Sequence, residues 1–269
     1  AGEASTTRTI ANSHTLFNVL TVAVYFPFVS VLGSLFTRLV PSRARAVAFP
    51  ALMSTPHEET IEDAYENLRD ALEEFIEMTE ETLRDGAELV NEPTARGGED
   101  LETRSALLSG AYYEIRNYAM LLYRLTQESD VTTRSKWFVR CADLVKRVND
   151  DISRGFSREV RELRQAGASF SIEDAAAIQR CAVELESRLE DVKTLVRSPS
   201  ESGAEELRDD ARALRNRIRD MRNAHFEAVG HGVPNAVESS TYVTDILSEC
   251  ESSASNIKRM GRVISEWEM

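Results

Sequence analysis

The chain is poor in the residues that build frameworks other than helical bundles. It holds three cysteines in 269 residues, Cys141, Cys181 and Cys250, widely spaced and odd in number. No Cys-x-x-Cys pair or Cys/His cluster occurs, which argues against a disulfide framework or a zinc site and fits a reducing setting. Each cysteine falls on the apolar stripe of an expected helix, where a small buried thiol is its role. Aromatic residues make up only 7%, and 12 glycines and 7 prolines are few for a sheet-rich fold. No stretch alternates with period two. There is no HExxH, no glycine-rich phosphate loop and no nucleophile with a base beside it in sequence, so the expectation is a protein that is not an enzyme. The formal charge of -13 argues against nucleic acid as a partner, because phosphate contacts need clustered Lys and Arg.

One long hydrophobic run is present. From Thr15 to Thr37 there is no Asp, Glu, Lys, Arg or His. About 20 apolar residues rising 1.5 Å each cross roughly 30 Å of hydrocarbon, so the run is expected to be a membrane-spanning helix. It is longer than the apolar region of a signal peptide, and its basic residues, Arg38, Arg43 and Arg45, come after it. That bias places the chain beyond Pro41 in the cytoplasm, beneath an inner membrane, with membrane lipid as a partner. Pro27, Asn18, Thr15, Thr21 and Ser30 favour protein neighbours over lipid, and a chain that opens on Ala1 suggests further segments upstream. A linker, 41–54, separates this region (1–40) from the remainder (55–269).

The remainder reads as six long amphipathic helices. The first is expected to open at Thr55-Pro56-His57-Glu58, a capping box, and carries Ala64, Leu68, Leu72, Phe75 and Met78. A loop over Asn91–Gly98 separates it from a second, marked by Leu101, Leu108, Tyr112, Ile115, Ala119 and Leu122. The pattern breaks over Glu128–Thr132, then resumes through Phe138, Cys141, Val145, Val148, Ile152, Phe156 and Val160. Gly155 lies inside this third helix and is expected to bend or loosen it.

Gln165–Ser169 is a turn, and Ser171-Ile172-Glu173-Asp174 caps a fourth helix along Ile178, Ala182, Leu185, Leu189 and Val192. There Glu184 and Arg188 are spaced to pair on the solvent side. Ser202-Gly203-Ala204-Glu205 caps a fifth, and Val243 to Ile264 form a sixth. The expected architecture is two antiparallel three-helix units, Thr55–Ala166 and Ser171–Trp267. His57, His225 and His231 are explained by helix ends, Asn149-Asp150-Asp151 by a solvated face, and Trp137 and Trp267 by packing near helix ends.

Ala11-Asn12-Ser13-His14-Thr15-Leu16-Phe17-Asn18, leading into Tyr25-Phe26-Pro27-Phe28, resembles the last conserved segment of bacterial sodium/phosphate cotransporters. The helical remainder looks like the PhoU-like domain often fused after it. The resemblance implies an all-α chain: the last transmembrane helix of the cotransporter followed by a PhoU-like bundle of about six antiparallel helices. It marks Ala11, His14, Thr15, Phe17 and Asn18 as signature positions, and sodium and phosphate as the species carried by a complete parent. Such carriers bind substrate between two inverted repeats, through a Gln followed by serines in each. Gln127, Gln165 and Gln179 are not followed by Ser, so the chain is not expected to transport alone and would need upstream membrane repeats.

PhoU proteins hold metal through Glu and Asp four apart on helices, a spacing that puts both carboxylates on one face. The matching stretches here place Tyr113 and Asn117, then Ser248 and Ser252, at those positions, with Glu114 and Glu249 one residue out of step. No metal ligand set is therefore expected. A regulatory protein is the partner implied for the bundle. The alternative is a membrane-anchored PhoU-like signalling or interaction protein.

Overall fold

A computed structural model describes Thr15, Phe17, Thr21, Phe49, Leu52 and residues 60–91, 95–125 and 129–267. Contacts divide the chain into two units, Ala1–Arg45 and Ala46–Met269. In the first, Thr15, Phe17 and Thr21 are helical; the other residues of the Thr15–Thr37 run, with Ala11, His14 and Asn18, lie outside the described residues. Among the described residues no helix is long and apolar enough to cross a membrane.

Six helices make up the described part of the second unit: α1 (Ile61–Asn91), α2 (Ala95–Leu125), α3 (Ser129–Gln165), α4 (Ile172–Arg197), α5 (Glu201–Gly230) and α6 (Ala236–Ile264). Their ends follow local chemistry. The described start of α1 is at Thr60, whose hydroxyl accepts from Asp63 N at 3.2 Å and donates to the Asp63 carboxylate at 2.7 Å; the expected box at Thr55–Glu58 lies outside the described residues. Gly97 and Gly98 fall inside α2, and α3 begins at Ser129, so both expected loops are shorter than the hydrophobic pattern suggested.

Ser171 caps α4 as its spacing requires, accepting from Asp174 N at 3.0 Å. For α5 the cap is Ser200, not Ser202: Ser200 has extended backbone geometry, and its hydroxyl accepts from Gly203 N at 3.2 Å. Gly232 and Asn235, at φ of 67° and 66°, turn the chain into α6.

Each set of three consecutive helices packs together, α1–α2–α3 and α4–α5–α6. The two sets also meet broadly, α3 against α6 and α1 against α4. The expected pair of bundles is thus merged: α1, α3, α4 and α6 form the centre, while α2 and α5 flank it on opposite sides. One continuous core runs from Leu68, Leu72 and Phe75 through Phe138 and Ile152 to Leu189, Leu214 and Ile257. Burying a Leu, Ile or Phe side chain stabilises by about 1.5–3 kcal/mol, so a shared core commits both halves to one cooperative body.

At one end Trp267 packs against Trp137, with ring centroids 4.7 Å apart, and on Phe138 and Tyr65, with Arg69 and Arg134 over its ring. The tryptophans serve packing. Cys141, Cys181 and Cys250 are buried free thiols; that of Cys181 is held well above its usual range, first by its hydrogen bond with Cys250 and then by burial.

Candidate functional site

The positions singled out by the PhoU resemblance fall in different surroundings. Tyr113 and Asn117 on α2 are exposed. Their neighbour Glu114 accepts a hydrogen bond at 3.3 Å from the backbone N–H of Phe49, whose ring is buried. Ser248 is exposed on α6, whereas Ser252 turns toward α3 and hydrogen-bonds the Asp151 carboxylate.

Around Ser252 lies a polar seam between α3 and α6. Asn256 donates to Asp151 Oδ2 at 3.1 Å, and Arg154 stands 3.6 Å from the other carboxylate oxygen. Asp151 is 7% exposed and Asn149 fully buried, with the Asn149 amide donating to Ser105 of α2 at 3.3 Å. Of the expected solvated face at Asn149–Asp151, Asn149 and Asp151 are therefore interior, while Asp150 stays half-buried and pairs with Lys146 at 2.6 Å. The reason is packing: α3 touches α1, α2 and α6, so a helix with neighbours on three sides has little outer surface left. Gly155 serves this seam as well. A Cβ there would come within 3.0 Å of Glu249 Cβ, so the glycine lets α6 approach, and α3 continues through it as helix.

The seam raises carboxylate pKa values. Burial pushes Asp151 up, and Ser252, Arg154 and Asn256 oppose it. Burial, then the Asp151 charge, pushes up Glu249. Glu159 is raised by burial against the pull of Arg158. These groups hold protons more firmly than free carboxylates. Among the described residues no three His, Cys, Asp or Glu side chains converge as a metal site.

A second polar constellation was hidden from the sequence because its members lie on three helices. His225 Nδ1 donates to Asp174 Oδ1 at 2.8 Å, His225 Nε2 lies 2.9 Å from Ser240 Oγ, and Ser171 Oγ donates to Asp174 Oδ2 at 2.6 Å. His225 is 2% exposed, so it does not act as a solvent-facing cation at a helix end. Carboxylate, imidazole and hydroxyl stand in the order used for acyl transfer. A groove of about 490 Å³ between α4 and α5 is lined by Asp174 and His225 but not by Ser240. The arrangement ties together the start of α4, the end of α5 and the start of α6.

Polar pairs on the surface also cross helices. Glu184 pairs with Arg217, and Arg188 with Asp210, both on α5, in place of the Glu184–Arg188 pair that spacing suggested.

No protein-family model matches the chain, and no curated protein matches it. The resemblance of Ala11–Asn18 to cotransporters thus stands on its motif. Among solved structures the chain is similar to the crystal structure of the phosphate transport system regulatory protein PhoU from Streptococcus pneumoniae. The TM-score is 0.69 at 13% identity, over 78% of this chain and 97% of that one. At that identity the likeness is one of fold, and the chain's six-helix unit is an all-α bundle of the PhoU kind.

Proposed function

We propose that the chain is part of a sodium-dependent phosphate symporter: its last membrane helix and a cytoplasmic PhoU-like domain that regulates transport at the inner membrane. The observation that carries the regulatory half is the six-helix architecture shared with a phosphate transport regulatory protein. The symporter half is supported by the signature Ala11, His14, Thr15, Phe17 and Asn18 and by the uncharged run that continues from it. On this reading the bundle acts without catalysis, and the seam and the His225 network position helices. Regulation then requires that the bundle contact the carrier, or a regulatory protein, more favourably in one transport state than another.

The test is to delete everything after Ser54 from a complete parent and follow sodium-driven phosphate uptake in phosphate-rich and phosphate-starved cells. Retained uptake with loss of the response to phosphate supports the proposal. Unchanged uptake and unchanged response would remove it. Absence of any sodium-driven uptake by the intact parent would leave the membrane-anchored signalling reading in its place.

A further inference from the structure

α2 and α5 flank the central helices on opposite sides, yet their outer surfaces differ. The outer turns of α5 carry Glu205, Asp209, Arg212, Asn216 and Asp220, all exposed, as a solvated helix face does. Those of α2 are apolar over much of their length. Tyr113, Met120, Leu121 and Tyr123 are exposed there, Tyr113 at 54%, although α2 also buries Leu108, Ile115 and Leu122 on its inner side. A helix that is apolar on both faces needs neighbours on both. Among the described residues α2 packs broadly on α1 and α3 alone.

The outer line of α2 is also ordered. Glu102, Ala106, Tyr113, Met120 and Arg124, all exposed, follow at spacings of four, seven, seven and four. With 3.6 residues per turn they lie within about 20° of one line along the helix. The spacing reads the same in both directions from Tyr113, and the side chains at equivalent places complement each other. An antiparallel second copy of α2, related by a two-fold axis at Tyr113, sets Glu102 against Arg124, Ala106 against Met120 and Tyr113 against its own image. Gly110 then comes beside Asn117 of the copy. A Cβ on Gly110 would meet nothing within 4 Å, so the helices have room to approach.

The ends and the centre of this line are prepared for such a contact. Arg124 makes no ion pair among the described residues. Glu102 meets Arg161 of α3 at 2.5 Å in an exposed pair, and a carboxylate has lone pairs for a second guanidinium, as Glu251 shows with Arg215 and Arg219. The Tyr113 ring lies against Tyr112, centroids 5.1 Å apart, and Tyr112 donates to Asp143 at 2.6 Å.

We propose that this face of α2 is the contact surface for a second copy of the chain, in an antiparallel two-fold pair centred on Tyr113. The palindromic order selects a second copy, because an unrelated apolar partner requires no symmetry in the spacing. A strip about 33 Å long and one helix wide buries on the order of 1,000 Å² over the two copies. That is the low end for specific contacts, so the dimer is reversible. The inference rests on α2 and stands apart from the regulatory reading.

The test uses the full chain, in one mild detergent buffer throughout. The three native thiols are buried, so an introduced exposed cysteine reacts selectively. A short bismaleimide should link chains carrying Tyr113→Cys into covalent dimers. Ala106→Cys or Met120→Cys alone should link poorly, because each lies about 21 Å along the helix from its own image. An equal mixture of the two should link well. Tyr113→Glu places two carboxylates face to face on the axis and should weaken the dimer at least about tenfold in sedimentation equilibrium. Arg124→Gln removes two exposed pairs per dimer and should weaken it roughly fivefold.

Far-UV circular dichroism confirms that each variant is folded, and the mixed Ala106→Cys and Met120→Cys experiment probes the same contact with Tyr113 intact. Linking of Ala106→Cys to itself as strongly as to Met120→Cys overturns the proposal. So does a dimer that Tyr113→Glu leaves unchanged, or a chain that stays monomeric and unlinked at about 100 μM. A monomer in which the Tyr113→Cys thiol resists maleimide would assign the face to a segment of the same chain and overturn it as well.

Discussion

The two seams that join the three-helix sets bury carboxylates in different ways. At α3/α6, Asp151 is met by donors from Asn256 and Ser252. At α1/α4, Glu80 is 8% exposed; its Oε1 is buried without a hydrogen bond, and Lys193 is 3.9 Å away. Burial first, then the charges of Glu190, Glu186 and Glu77, raises its pKa from 4.5 to about 7 against the pull of Lys193. Equal burial thus has unequal consequences. Hydrogen bonds limit the cost of a buried carboxylate in one seam, and in the other the carboxylate takes up a proton near neutrality.

Removing the better partner should cost most. Asn256→Ala leaves Asp151 without its amide donor and also removes the acceptor of Arg259, 3.2 Å away. A loss of about 2–3 kcal/mol is expected from urea denaturation at pH 7. The loss should shrink as the pH is lowered, because protonated Asp151 needs the donor less. A loss that does not change with pH would show that Asn256 acts through packing.

Glu80→Gln should have the opposite sign. The folded state binds the Glu80 proton more tightly than the unfolded chain, so its contribution is present at low pH and is lost as pH rises through about 7. At pH 8 the glutamine variant should be more stable by about 3 kcal/mol, and near pH 4 the two should coincide. Thermal midpoints across that range check it; parallel curves would place the ionised Glu80 in a satisfied site.

Gly155→Ala should have the smallest effect. Its Cβ would crowd the Glu249 side chain at 3.0 Å, which can shift, and the gain in helix propensity offsets part of the strain. A net loss of about 1 kcal/mol is expected, against a gain of similar size if α6 did not approach there. Hydrogen exchange in α3 and α6 would locate the change.

Helix identities were legible in the residue spacing. The stripes through Leu68–Leu72–Phe75, Ile178–Leu185–Leu189 and Leu247–Ile257 are the core, because a helix repeating every 3.6 residues turns such spacing into a face. The Ser171 cap was legible because its partner is three residues away. Asp151 was half legible. Its spacing from Leu144, Val148 and Gly155 traces a second buried stripe on α3, but that stripe means something only once α6 is known to lie on it. His225, Asp174 and Ser240 were not legible, since 51 and 15 residues separate the partners.

Composition and periodicity, both local, were sufficient to determine the six long helices of the described residues, the uncharged run ahead of them and the thiols' burial. Which helices meet, and therefore which carboxylates lose water and which charged groups pair across helices, was decided by tertiary packing. Desolvation and charge attraction depend on distance in space, and distance along a chain does not fix distance in space once helices fold back on one another.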